Sequence, residues 1–119
     1  MSTLKVATIQ DTSGNNSSTP AQVAEGRAKA WVNFKGDGTV AIRDSFNVSS
    51  LADDGTGLYT ITFTNAMANA NYAAVYGANG GIAGYAGSHT QNTSTLKIFG
   101  SSSGSFNDVP TCNVAVFGD

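Results

Sequence analysis

His89, in the stretch AGSHTQ, is the only histidine, and so the only ordinary acid–base group near neutral pH. A catalytic use requires a nucleophile or a second base within hydrogen-bond reach. The serines around it form no GxSxG elbow, and no other catalytic signature is present. Glycoside cleavage needs two carboxyl groups flanking the bond at a set separation. Glu25 is the one glutamate, and it falls in a short helical turn. Asp53 and Asp54, in LADDGTG, offer oxygens to a divalent cation together with Asp37 or Asp44. The spaced series of oxygens closing on a glutamate that marks a calcium loop is missing, and Asp before Gly is ordinary turn chemistry. Cys112 stands alone, which excludes an internal disulfide and a multi-cysteine zinc site. Its setting in TCNVAVF is that of a small buried hydrophobe. These residues predict no enzyme, no cofactor and no metal site.

What remains is recognition. A sugar site combines an exposed aromatic ring, which stacks on the apolar face of a pyranose, with amides and carboxylates for the hydroxyls. The stretch from Gly77 to Ser94 and that from Gly100 to Pro110 read as two long loops. They supply Tyr85, His89, Gln91, Asn92, Phe106, Asn107 and Asp108, which are the expected glycan- or receptor-binding residues.

These residues need elements to hold them. The chain has 119 residues, enough for one domain with a modest core. Charged residues make up 12%, against about 25% in ordinary soluble domains. A surface of short neutral polar side chains loses little hydration when another chain covers it, which favours an assembling protein. The net charge is −2 and the six basic residues are scattered, so the clustered phosphate contacts of a nucleic-acid binder are missing. No apolar run approaches a bilayer's thickness, and the start MSTLKVATIQ does not read as a signal peptide.

Alternation of period two dominates wherever apolar residues occur. TLKVATIQ sets Leu4 and Val6 on one side, with Ala7 and Ile9 on the other. AKAWVNF sets Trp31 against Val32 and Phe34, apolar on both sides. VAIRDSFNVSS places Val40, Ile42, Phe46 and Val48 on one face, interrupted by Asp44, which predicts a bulge or an ion pair with Arg43 or Arg27. In LYTITFT, Tyr59, Ile61 and Phe63 alternate with threonines. Short strands separated by turn signals predict an all-β antiparallel sandwich, with a small β-barrel as the alternative. A short helical turn is expected near residues 19–26, with Ser18 or Thr19 as N-cap and Pro20 at its first position. Residues 1–20 read as an N-terminal strand and arm, and residues 21–119 as the β domain.

LKVATIQDTSGNNSSTP, followed by GRAKAWVNFKGDGTVAIRDSFNVSSLADDGTGLYTITFTNAMANANYA, resembles small virion proteins and tail-fibre segments of tailed, marine-type bacteriophages. The similarity covers residues 2–76. It implies a β-structured homotrimeric module in the phage particle, partnered by its own copies and by other tail or fibre proteins. It implies no catalytic residue. The two-sided strands agree with assembly, since one small sandwich cannot hide both faces. Leu4, Val6, Ile9, Arg27, Trp31, Phe34 and Arg43 are the expected subunit-interface residues. The loops after residue 76 would meet a glycan on the host surface. A standalone carbohydrate-binding module, or a capsid decoration or collar protein without receptor binding, are the alternative readings.

Overall fold

A computed structural model describes residues 1–79, 85–102 and 104–118, with the backbone alone described at 85–89 and 102. Among the described residues the chain forms a short helix α1 (Pro20–Gly26) and nine strands. They are β1 (Ala30–Lys35), β2 (Ala41–Phe46), β3 (Val48–Gly55), β4 (Leu58–Phe63), β5 (Ala73–Asn79), β6 (Tyr85–Gln91), β7 (Thr95–Ser102), β8 (Ser105–Phe106) and β9 (Thr111–Phe117). One sheet has the order β2-β1-β9-β5, the other β3-β4-β7-β6 with β8 on β7. All ladders are antiparallel, and the two sheets pack face to face as a sandwich.

The alternation decides which side chains meet. Ala30, Val32 and Phe34 of β1 and Cys112, Val114 and Val116 of β9 face inward. Tyr59, Ile61 and Phe63 of β4, with Leu96 and Ile98 of β7, meet them from the other sheet. Phe34 and Tyr59 pack edge to face with ring centroids 5.0 Å apart, a geometry that aligns ring edges with ring faces.

The stretch VAIRDSFNVSS does not continue as one strand. On β2, Asn33 pairs with Asp44 and Phe34 with Ile42, so Arg43 is an extra residue. That bulge resolves the interruption at Asp44. It leaves Ile42 on the side of buried Phe34 and turns Asp44 and Phe46 to the outer face. A one-residue slip exchanges the faces of everything beyond it. The expected ion pair with Asp44 does not form. Arg43 donates to the carbonyls of Phe34 (3.2 Å) and Pro110 (2.8 Å) and to Thr111 Oγ1 (2.9 Å). Ion pairs among the described residues are Lys35–Asp37 and Lys97–Asp54.

Asn47, at φ 56°, then carries the chain from one sheet to the other in a single residue. Asparagine tolerates this left-handed conformation better than most residues. Its side chain secures the corner: Nδ2 donates to the carbonyls of Lys29 (3.0 Å) and Asn65 (3.1 Å), and Oδ1 accepts from Asn65 N (2.8 Å).

Residues 85–91, read from sequence as loop, are instead β6, held along β7 from Tyr85–Ser101 to Gln91–Leu96. Gly, Ser and Ala carry no alternation signal, so the ladder with β7 makes this strand rather than its own side chains. α1 follows the expectation closely. Thr19 is its N-cap in a capping box with Gln22, and Pro20 opens the helix.

Candidate functional site

The sandwich has two ends, and they divide the expected recognition residues. At one end lie the β1–β2 and β3–β4 turns, the β7–β8 hairpin and residues 107–110. Phe106, Asn107 and Asp108 are here, as is the start of β6 at Tyr85. At the other end lie Lys29, Asn47, Asn65 and the β6–β7 turn, which contains Asn92. Gln91 pairs with Leu96 and Tyr85 with Ser101, so about 16 Å of β7 separates the groups at roughly 3.3 Å per residue. They cannot share one sugar ring. The side chains of Tyr85 and His89 lie outside the described residues.

Local hydrogen bonds occupy most of these polar groups. Gln91 Nε2 donates to the carbonyl of Tyr72 (3.0 Å), and Asn92 Nδ2 to Thr95 Oγ1 (3.2 Å). Asn107 Nδ2 donates to the carbonyl of Ser105 (3.0 Å). Asp108 Oδ1 accepts the Gly57 amide at 2.8 Å, which ties the β3–β4 turn to the segment before β9. Phe106 remains open at 47% exposure, with its ring on Phe99 at 5.5 Å.

The outer face of the β2-β1-β9-β5 sheet is a different surface. Trp31 lies opposite Phe46 on β2 and opposite Ala115 on β9, and Ala115 lies opposite Val75 on β5. The result is an apolar row, Phe46–Trp31–Ala115–Val75, running across all four strands. Trp31 is 37% exposed, Phe46 54% and Val75 55%. The next row is polar: Asp44, Asn33, Asn113 and Gly77. Asn33 Nδ2 donates to Asn113 Oδ1 within it. Small Ala115 sits between Trp31 and Val75, and Gly77 follows Val75 in the next row of β5, which leaves a shallow trough of about 380 Å³.

No family model, curated protein or solved structure matches the chain.

The N-terminal segment is the third feature. No residue before Ala30 is buried, and α1 buries none of its seven residues. Residues 1–8 belong to no helix or strand and make no backbone hydrogen bond among the described residues. Ile9 and Ser18 bridge to close a small loop whose hub is Asp11. That carboxylate accepts from the amides of Ser13 (2.9 Å) and Asn15 (2.8 Å), and the Asn15 bond leads the effects holding its pKa below the usual value. The radius of gyration is 17.1 Å, against about 13.5 Å for a compact chain of this length.

Of the expected interface residues, Leu4, Val6, Ile9 and Trp31 are exposed, Arg27 lies at the C-cap of α1, and Arg43 is bonded into the β2 bulge. Phe34 is 0% exposed and belongs to the core. Sequence reasoning passed over Phe46 and Val75 as surface residues. Alternation groups Phe46 with Val40, Ile42 and Val48 on one face, and the bulge at Arg43 separates it from Ile42; nothing in NYAAVYGAN marks Val75 as outward.

The buried titratable groups serve the core. Burial pushes the Cys112 thiol up to about 12 and is also the main cause that raises the Tyr59 phenol to about 12. A thiol so far from ionisation is no nucleophile at neutral pH. Among the described residues no three His, Cys, Asp or Glu side chains are grouped to hold a metal, and no helix is long and apolar enough to cross a membrane.

Proposed function

We propose that the protein is a structural subunit of a phage tail or fibre, which assembles with its own copies as a homotrimer. The observation that carries this reading is the apolar row Phe46–Trp31–Ala115–Val75 on the outer face of the sheet. Half-exposed rings in one contiguous line are costly to leave in water, and an identical neighbour is the partner always at hand. The low fraction of charged residues, 12%, supports the same reading by keeping the desolvation cost of a contact small. The number three, and the place in a virion, come from the resemblance of residues 2–76 to phage virion and tail-fibre proteins. Light scattering on the purified chain tests the assembly, with three chain masses expected. A stable monomer at micromolar concentration would overturn it. Labelling of intact particles under the electron microscope tests the location.

Glycan contact is the second reading, and the exposed Phe106 ring supports it. Asn107 follows Phe106 in the chain, at the same end of the sandwich. Glycan-array binding that disappears in Phe106→Ala while the mass is unchanged is the expected result. Binding that survives this change would move the site elsewhere.

A further inference from the structure

We infer that the trough on the outer sheet face is a seat for the N-terminal arm of a second copy, with Leu4 and Val6 set against Trp31, Ala115 and Val75. The inference rests on the self-assembly reading and names the segment that fills the surface. Both surfaces are incomplete on one chain. The arm exposes Leu4 at 85%, together with Val6 and Ile9, and residues 1–8 make no backbone hydrogen bond among the described residues. Neither a seven-residue helix nor an isolated extended strand is stable in water without a covering surface. The trough offers what an extended peptide needs. Trp31 and Val75 form its walls, with small Ala115 between them as a floor that accepts apolar side chains. After the Asn33–Asn113 bond, Asn33 Oδ1 and Asn113 Nδ2 have no partner among the described residues. One can accept a backbone N–H and the other can donate to a backbone C=O, so the amide row can satisfy the arm's main chain.

Charge selects this partner over a second sheet face. In residues 1–29, Lys5, Arg27 and Lys29 against Asp11 and Glu25 leave a net charge of +1. In residues 30–119, Lys35, Arg43 and Lys97 against Asp37, Asp44, Asp53, Asp54, Asp108 and Asp119 leave −3. Two like-charged bodies repel face to face, whereas a basic arm on an acidic body attracts.

Disulfide trapping tests the inference. Cys112 is buried at 0% exposure, so engineered surface thiols are the ones that report. Chains carrying Val6→Cys are mixed with chains carrying Val75→Cys and oxidised with copper phenanthroline. The expected product is a cross-linked pair in which the peptides around positions 6 and 75 are joined, identified by mass spectrometry. Pairs joined only between two Val75→Cys chains would overturn arm docking while leaving self-assembly intact. Chains carrying both substitutions that close internally at monomer mass would place the arm on its own sheet and also overturn it. No cross-link from a chain that scatters as a monomer would overturn both readings. As a second measurement, Leu4→Asp is expected to weaken association at least tenfold and Leu4→Met to leave it unchanged. Because Leu4 makes no core contact, a Leu4→Asp variant with unaltered association would contradict the inference.

Discussion

Tyr59 of β4 crosses the sandwich to Gly36, and its hydroxyl donates to the Gly36 carbonyl at 2.7 Å. The Gly36 amide in turn donates to the carbonyl of Val109 at 3.0 Å, and the Val109 amide donates to the Tyr59 hydroxyl at 3.4 Å. One phenol thus joins the β1–β2 turn, the second sheet and the segment before β9. The approach is close enough to exclude a side chain at position 36. A Cβ there would lie 2.6 Å from Tyr59 Oη and 2.7 Å from the Val109 carbonyl.

Tyr59→Phe is expected to lower stability by about 1–3 kcal/mol, since it leaves buried polar partners unsatisfied. Gly36→Ala should cost about 1–3 kcal/mol by overpacking the same junction. Urea denaturation measures both. Midpoints unchanged from the parent would show that the junction adds nothing to stability.

Alkaline pH should unfold the protein through Cys112 and Tyr59. Both ionise at about 12 in the folded chain, against 9.0 and 10.0 for the free groups. Their contribution is therefore whole below pH 9 and is lost as pH rises toward 12. Between the free and folded values each group adds a slope of about 1.4 kcal/mol per pH unit. Tyr72 is raised in the same direction, chiefly by burial. The melting temperature is expected to fall steadily above pH 9, with a later onset in Cys112→Ala. A melting temperature flat to pH 11 would contradict the argument.

Cys112 should resist thiol reagents until the sandwich opens, because it is both inaccessible and un-ionised. Labelling is expected to be at least about a thousandfold slower in buffer than in denaturant, as core sites open only with the global transition. Complete labelling within minutes in buffer would show that β9 opens locally.

Asn47→Ala should cost about 2–4 kcal/mol, combining left-handed strain with the loss of three side-chain hydrogen bonds. Asn47→Gly relieves the strain alone and should fall between Ala and the parent. If Gly were as damaging as Ala, the backbone conformation would not be what selects asparagine.

Trp31 and Phe34 sit three positions apart on one strand and should fail in different ways. Phe34→Ala opens a cavity in the core and is expected to cost about 3–5 kcal/mol of folding stability. Trp31→Ser should leave the melting temperature of the single chain nearly unchanged and weaken association by about 2–4 kcal/mol, as anchors of an interface do. Light scattering beside thermal melting separates the two. Trp31→Ser chains that keep their parent mass would remove the outer face from the assembly.

The strands of this protein were legible where each residue's side is set by its immediate neighbours. Alternation in LYTITF and CNVAVF names their inward residues correctly, because a pleated strand has a period of two regardless of its partners. The same rule failed at Phe46. The Arg43 bulge is chosen by pairing with β1, which lies outside the local pattern. β6 was missed for a related reason, since it is built by hydrogen bonds to β7 and carries no apolar signal of its own.

Composition and pattern by themselves determined an all-β fold, sandwich before barrel, with a helical turn near residues 19–26 capped by Ser18 or Thr19; the tertiary structure selected the sandwich and Thr19. Only the tertiary structure decided that Phe34 would be sheltered and Trp31 left open. It also set Gln91 and Asn92 apart from Phe106, Asn107 and Asp108 at opposite ends of β7. The physical reason is common to these cases. A residue's side is a local property of the backbone, but what covers that side depends on strands brought together from distant parts of the chain.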